Sequence, residues 1–359
     1  MRILFIGSRL FNDVADYASS KGVTTILSES NPEAPNLEIA DSCFIVPRGM
    51  DAPLEIALRE DVDAVVPLIG VDGPLRDVAR LKTELEGSYG IPVVASGEGA
   101  AEISTDKLKT KEFFTENGIS TPGYALIGSA DEVKGFPTVL KQREGQGGSN
   151  IKVASSYTDV GEYLSSHDSA IMEEYIQGVE ISVEVLRWDG QTFPLVAVDK
   201  GPTSTEGIHP LGKKVKMAPA VMEGFSGDEA LRMASRITEL LGAEGNTDVD
   251  MILSEEGILY AIEVNTRPSG TRYISEAATG INPMHSLVDM AIGDWNPNKL
   301  KREDYHAVEI PLGNPGNIES LMPAGVKWLL HGPQNHMRLT ARADNREKLD
   351  LIMKRLRVI

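Results

Sequence analysis

Asp248-Val249-Asp250-Met251-Ile252-Leu253 and Ile262-Glu263-Val264-Asn265-Thr266-Arg267-Pro268 are the two runs on which the reading of this chain turns. Between them lies Ser254-Glu255-Glu256-Gly257, a polar, glycine-ended stretch of the kind that closes a hairpin. Side chains alternate between the faces of a strand, so Asp248 pairs with Asp250 on one face, as Glu263 does with Asn265. A turn of that length sets Leu253 opposite Ile258 and Asp250 opposite Ala261. This register gathers Asp248, Asp250, Glu263 and Asn265 on one face and leaves Val249, Met251, Tyr260, Ile262 and Val264 on the other. Carboxylates gathered this closely repel one another unless a cation sits among them. Oxygen donors of this kind suit hard divalent cations, Mg²⁺ above all, which usually share them with nucleotide phosphates. The competing reading is a half-exposed hairpin whose acidic face is merely wet. Against it stand the distance of the acids from the turn and the arginine, Arg267, at the next outward position.

The composition is compatible with a nucleotide enzyme and narrows the partners. At 359 residues, 41% hydrophobic and 25% charged, the chain is an ordinary globular protein with room for two or three domains. No stretch approaches the ~20 apolar residues of a membrane span. The apolar run in Met1-Arg2-Ile3-Leu4-Phe5-Ile6-Gly7 is too short for a signal peptide and reads as a first strand. One cysteine, Cys43, allows no intramolecular disulfide, which suits a reducing cytoplasm. A net charge of −18 argues against nucleic acid and anionic membrane as partners. A local cluster of Lys, Arg and Mg²⁺ could still handle the phosphates of a nucleotide.

Three segments are visible along the chain. Residues 1–96 alternate strands (Ile3–Gly7, Thr25–Ser28, Ser42–Val46, Ala64–Ile69, Pro92–Ala95) with helical stretches (Asp51–Arg59, Pro74–Glu86), which predicts a parallel, Rossmann-like sheet. The dinucleotide fingerprint is missing after the first strand, so NAD and FAD are excluded there. Ser8-Arg9 and Gly70-Val71-Asp72 would line the crevice at the strand ends. In residues 97–177, Ser104-Thr105-Asp106 caps a helix over Lys107–Asn117. Strands then flank Gly145-Gln146-Gly147-Gly148-Ser149. A glycine loop joining two strands is not a P-loop, but its backbone N–H groups can still wrap phosphates as a mobile flap. Residues 178–359 open with the period-2 strand Glu180–Leu186 and contain the helix Asp228–Leu241 and the acidic hairpin. Strands follow at Val308–Leu312, Val326–His331 and Met337–Ala341, with a last helix at Arg346–Arg355.

In order, Lys107, Lys141, Gly147-Gly148, Glu173-Glu174-Tyr175-Ile176, Glu180, Asp250, Glu263, Asn265 and Arg267 resemble the ATP-grasp superfamily. Within it they are most similar to the large-subunit branch of carbamoyl-phosphate synthase and to the single-unit pyrrolysine-pathway ligase. The resemblance covers roughly residues 1–300 and implies a Rossmann-like domain followed by a two-lobed ATP-grasp fold, α/β and α+β in class. It also implies roles. Lys107 and Lys141 would grip the phosphates of ATP, and Gly147 and Gly148 would cover them. Glu173, Glu174, Tyr175 and Ile176 would form the hinge that reads adenine, and Glu180 would hold the ribose. Asp250, Glu263 and Asn265 would bind Mg²⁺, or Mn²⁺ in its place, and Arg267 would stabilise the transferring phosphoryl group. The synthase has Gln where this chain has Asp250. Arg9, His209 and Arg272 are the candidate contacts to substrate, whereas Lys109 and Lys111 read as solvated surface of the Lys107 helix. The activity implied is ATP-dependent joining of a small carboxylate to an amine through an acylphosphate. Carboxyphosphate or carbamoyl-phosphate chemistry and a non-catalytic ATP-binding role are the alternatives. A homodimer is the family-level expectation.

Overall fold

The structure, a computed structural model, describes residues 1–145, 147–206, 214–313, 318–332 and 336–358. In chain order its elements begin with β1 (Arg2–Ile6), α1 (Ala15–Ser20), β2 (Thr24–Glu29), β3 (Ser42–Ile45), α2 (Asp51–Arg59), β4 (Ala64–Pro67) and α3 (Leu75–Glu84). Next come α4 (Glu98–Ser104), α5 (Lys107–Glu116), β5 (Tyr124–Ile127), β6 (Thr138–Lys141), β7 (Ile151–Ala154), α6 (Tyr157–Ser165) and β8 (Ala170–Glu174). The chain continues through β9 (Gly178–Trp188), β10 (Gln191–Pro202), β11 (Lys216–Ala218), α7 (Gly227–Leu241), β12 (Gly245–Ser254) and β13 (Leu259–Asn265). It ends with α8 (Arg272–Thr279), α9 (Pro283–Ile292), β14 (His306–Gly313), β15 (Lys327–His331), β16 (Met337–Ala343) and α10 (Arg346–Arg355).

The first four strands form a parallel sheet in the order β3-β2-β1-β4. Ile3, Leu4, Phe5 and Ile6 are all buried, as a parallel strand covered on both faces requires. Ile3, Phe5, Leu27 and Val66 pack with Met284, Leu287 and Val288 of α9, while Leu4, Ile26 and Val65 pack with Ile56 of α2. A helix late in the chain thus closes one face of the N-terminal sheet. The strand expected at Pro92–Ala95 shrinks to one bridge, Val93 to Val65.

Two antiparallel sheets follow, β5-β8-β6-β7 and the eight-stranded β13-β12-β9-β10-β11-β14-β16-β15. The glycine loop joins β6 to β7, as expected, with Gly145, Gly147 and Gly148 at φ 126°, 63° and 81°, a region open to glycine and costly for other residues. Helix α5 starts at Lys107 because Asp106 caps it, accepting from the Leu108 and Lys109 amides. The helix expected at Asp228–Leu241 runs over Gly227–Leu241. It buries Ala230, Ala234, Ile237 and Leu241 against the apolar side of the large sheet and stops at Gly242 in the left-handed region. The segment beyond residue 300 is not a separate appendage, since β11 pairs with β14 and makes β14, β16 and β15 a continuation of the same sheet.

Candidate functional site

The acidic hairpin forms, but not in the simple register. Leu253 pairs with Leu259 and Met251 with Ala261, after which a bulge brings Asp250 opposite Glu263 and Asp248 opposite Asn265. Expecting Leu253 opposite Ile258 and Asp250 opposite Ala261 was therefore wrong: the turn is one residue longer on the β13 side than counted, and Ile262 is the extra residue of the bulge. A bulge re-aims side chains next to it. Ala261 turns into the apolar core with Val249, Met251 and Val264, while Ile262 lines a cavity on the other side. Tyr260 lies opposite Ile252 rather than on the core face. The four oxygen-bearing side chains share a face, as expected, but it is the bulge that brings Glu263 and Asn265 there: unbroken alternation would put Glu263 on the side of Ala261.

That face continues across the neighbouring strands. On β9, Glu184, Ser182 and Glu180 lie opposite Asp248, Asp250 and Ile252. Further along, Lys216 lies opposite Glu309, and Glu309 opposite Thr340. Carboxylates occupy the β13-β12-β9 half, and cations fill the other half. Lys200 on β10 reaches back to Asp250 Oδ1 at 2.6 Å, and Lys214 pairs with Glu180. Lys216 Nζ is 3.0 Å from Glu309 Oε1, and Arg338 Nε donates to that same oxygen at 2.5 Å. Burial would raise the Asp250 carboxyl, but Lys200 outweighs it and holds Asp250 below the usual carboxylate range. Asp248 and Glu184 go the other way. Burial, then the charge of Asp250, raises Asp248 to about 6; burial, then the charge of Asp248, raises Glu184 to about 8. Of these three, Asp250 is the one whose charged form the surroundings favour.

Above this face the β5-β8-β6-β7 sheet closes a cavity of about 620 Å³. Its walls include Lys141, Gly147, Gly148, Glu173, Glu174, Tyr175 and Ile176 on one side. Glu180, Asp248, Asp250, Ile262, Glu263, Asn265 and Arg267 form the other. Lys107 stands at the edge, donating to the Gly145 carbonyl oxygen and lying 3.3 Å from Glu263 Oε1. Glu173 and Glu174 separate as strand alternation demands, Glu173 buried and Glu174 exposed. Glu173 Oε2 accepts from Lys141 at 2.9 Å and lies 3.1 Å from Lys111 Nζ. Lys111 is therefore not solvated surface: its side chain is 1% exposed, and burial pushes it down to about 8 against the pull of Glu173. Lys109 does face outward, paired with Glu102.

Arg267 is fixed within this cavity, and of the substrate candidates Arg9 and Arg272 lie apart from it. Arg267 bridges two regions, donating from Nε to Asp72 Oδ1 at 2.5 Å and from Nη2 to Asn265 Oδ1 at 3.1 Å. Arg272 does not line the cavity; its Nε donates to Asp13 Oδ2 at 2.9 Å, and Tyr273 donates its hydroxyl to the other oxygen. Arg9 lines a separate crevice of about 890 Å³ at the parallel strand ends, with Arg48, Arg76, Asp72 and Gly145. His209 lies outside the described residues. Reading the sequence missed Lys200, Lys214, Lys216 and Arg338. An alternating Lys214-Val215-Lys216 before a strand was the available signal, but Arg338 comes from a segment with no motif.

Asp250, Glu263 and Asn265 make a compact set of hard oxygen donors that fits a divalent cation. Among the described residues no three His, Cys, Asp or Glu groups are assembled as a metal cage. The set suits a cation that completes its coordination with phosphate oxygens. Lys200 and Lys107 balance the two carboxylates in this structure.

A glycine loop on one antiparallel sheet, facing a carboxylate hairpin on another across a cleft, defines an ATP-grasp fold. The family described as ATP-grasp domain matches residues 104–271. A curated protein of Methanobrevibacter smithii named carbamoyl-phosphate synthase is 47% identical over 361 residues, covering 98% of each chain. A D-alanine–D-alanine ligase of Nitrosomonas eutropha is 29% identical, over 67% of this chain and 76% of its own. Among solved structures, the L-amino acid ligase of Bacillus licheniformis superposes with a TM-score of 0.78 at 17% identity, covering 99% of this chain and 97% of that one. The chain belongs to the ATP-grasp family of ligases. No helix among the described residues is long and apolar enough to cross a membrane.

Proposed function

We propose that this protein uses ATP to activate a small carboxylate as an acylphosphate and joins it to an amine. The observation that carries the reading is the single cavity in which Lys141 and the Gly147-Gly148 turn face Asp250, Glu263, Asn265 and Arg267. Lys107 and Lys141 hold the phosphates as point charges, and the glycine backbone closes over them. The hinge around Tyr175-Ile176 receives adenine through its backbone, beside Glu173 and Glu174, and Glu180 accepts from the ribose hydroxyls. Asp250, Glu263 and Asn265 would hold Mg²⁺ or Mn²⁺, which supplies neutralising charge to the phosphates when bound. Arg267 is aimed by Asp72 and Asn265, so its guanidinium is fixed before the reaction and costs little reorganisation.

In the reaction, an oxygen of the substrate carboxylate attacks the γ-phosphorus and ADP departs. The amine then attacks the acyl carbon and phosphate departs. Positioning and electrostatics do most of this work, so no side-chain nucleophile is required. The Arg9 crevice shares Asp72 with the Arg267 contact and reaches Gly145 of the loop, which supports it as the route for a charged substrate. His209 is a further substrate candidate, whereas Arg272, paired with Asp13, supports the neighbouring Ser269 and Tyr273 rather than facing the cavity. A cytoplasmic, homodimeric enzyme is part of the same reading.

The M. smithii relative's name favours one second reading, in which bicarbonate is the carboxylate and carboxyphosphate the intermediate. Phosphate release from ATP, measured against a panel of carboxylates with bicarbonate included, separates the two. The ligase reading expects release that depends on one organic carboxylate, and trapping by hydroxylamine as an acyl hydroxamate. Release with bicarbonate alone selects the second reading. Release with neither, over a broad panel with amines present, defeats both.

A further inference from the structure

The nucleotide site proposed above, on which this inference rests, gives no task to Lys111, a charge buried directly behind it. Lys111 lies one turn beyond Lys107 on α5, with its side chain 1% exposed. Its ammonium donates to Thr121 Oγ1 at 2.9 Å and lies 3.1 Å from Glu173 Oε2. Lys141 reaches the same carboxylate oxygen at 2.9 Å from the cavity side. Thr121 Oγ1 in turn donates to the Ala261 carbonyl at 2.8 Å, which ties Lys111 to the hairpin carrying Asp250 and Glu263.

A fully buried lysine is rare, and filling space would be done as well by a methionine. The cation must therefore be judged by what it does to the charges beside it. Lys141 and Glu173 alone form a neutral pair, in which the carboxylate competes with any phosphate for the Lys141 ammonium. Adding Lys111 leaves the trio with one net positive charge. Glu173 then stays compensated from its buried side when Lys141 turns toward an anion in the cavity. We infer that Lys111 is a positioning residue, which neutralises Glu173 from behind so that the charge of Lys141 is available to the nucleotide phosphates.

The test is calorimetric titration with Mg·ATPγS of the wild-type chain, Lys111→Met, Lys111→Arg, Glu173→Gln and the double variant Lys111→Met/Glu173→Gln. Removing the rear cation should weaken binding about 10- to 100-fold, the scale of one lost hydrogen bond to a charged group. Lys111→Arg should stay close to wild type. The double variant should recover to within about threefold of Glu173→Gln, because no carboxylate remains to hold Lys141 back. A merely structural lysine predicts the opposite, with the double variant binding no better than Lys111→Met. Melting curves confirm that each variant is folded, and Lys111→Gln, which keeps a donor for Thr121, takes the place of a Met variant that does not fold. Unchanged affinity in the neutral variants, or no recovery in the double, overturns the inference. Absence of binding by the wild-type chain overturns the nucleotide site itself and the inference with it.

Discussion

Replacing Glu263 by Gln removes one carboxylate from the hairpin while keeping its shape, and the structure separates what this does to folding from what it does to turnover. The Glu263 side chain is 23% exposed, and its ion partner Lys107 is 3.3 Å away. A partly wet pair at that distance contributes no more than ~1 kcal/mol to stability. For a chain of this size that is a shift of at most a few degrees in Tm. Backbone pairing of Glu263 with Asp250 does not involve the side chain and survives the change. The reaction is another matter. Charge aimed at a transferring group inside a closed site is worth about 3–4 kcal/mol, or a factor of 10² to 10³ in kcat. Loss of a ligand carboxylate should also raise the Mg²⁺ concentration needed for half-maximal rate. Steady-state phosphate release, titrated with Mg²⁺ alongside a thermal melt, reads both numbers. A variant that melts as wild type and turns over within threefold of it, at unchanged Mg²⁺ requirement, would refute the assignment of Glu263 to the metal.

Other outcomes follow from packing and charge. Gly178→Ala should lower Tm by several degrees, because a Cβ there would sit 2.0 Å from the Leu253 carbonyl oxygen and force β9 and β12 apart. Glu309→Met should destabilise the fold by about 3–5 kcal/mol, read by denaturant titration, since Glu309 is fully buried and Lys216 and Arg338 would lose their shared partner. The Lys111 ammonium, faced by Glu173, Lys141, Thr121 and more distantly Glu263, should give two opposed pH effects. Its folded value, pushed down by burial to about 8, lies below that of the unfolded chain, so the stability linked to it rises with pH above about 8 and is lost as pH falls through that value. Nucleotide affinity should fall over the same rise in pH, and Lys111→Arg should move that fall to higher pH; a flat affinity from pH 7 to 9.5 would remove Lys111 from the binding equilibrium.

The parts of this molecule that can be read from sequence are those where one local rule decides. Alternation alone separates Glu173 from Glu174, puts Asp248 with Asp250 on one face of β12, and puts Glu263 with Asn265 on one face of β13. Asp106 marks the start of α5 because a cap is a property of three neighbouring residues. The bulge at Ile262 is a property of the partner strand as well, so the pairing of Asp250 with Glu263 could not be deduced by counting back from the turn. Lys111 reads as surface because lysines at i, i+2 and i+4 on a short helix usually are; its burial depends on Glu173, which arrives from a strand sixty residues on. Arg338 is invisible for the same reason, since its relation to the cavity exists only after β14 has paired with β11.

These long-range pairings also explain how a chain of net charge −18 can line a pocket with cations. Lys141, Lys200, Lys214, Lys216, Arg267 and Arg338 all line the cavity, and each is held by a carboxylate: Glu173, Asp250, Glu180, Glu309, Asp72 and again Glu309. Buried cations without such partners would lose their protons or destabilise the fold, so the acids are what make a positive wall tenable. The two kinds of charge are not mixed at random over the sheet face. Metal-type carboxylates stand on β12 and β13, and Lys200, Lys216 and Arg338 on β10, β11 and β16. A ligand that carries its own divalent cation at one end and bare anionic oxygens at the other matches that order without rearranging it. Mg·ATP beside a carboxylate is such a ligand. On this view β14 to β16 belong to the site: they supply Glu309, which holds the cationic half in place, and Arg338, which completes it.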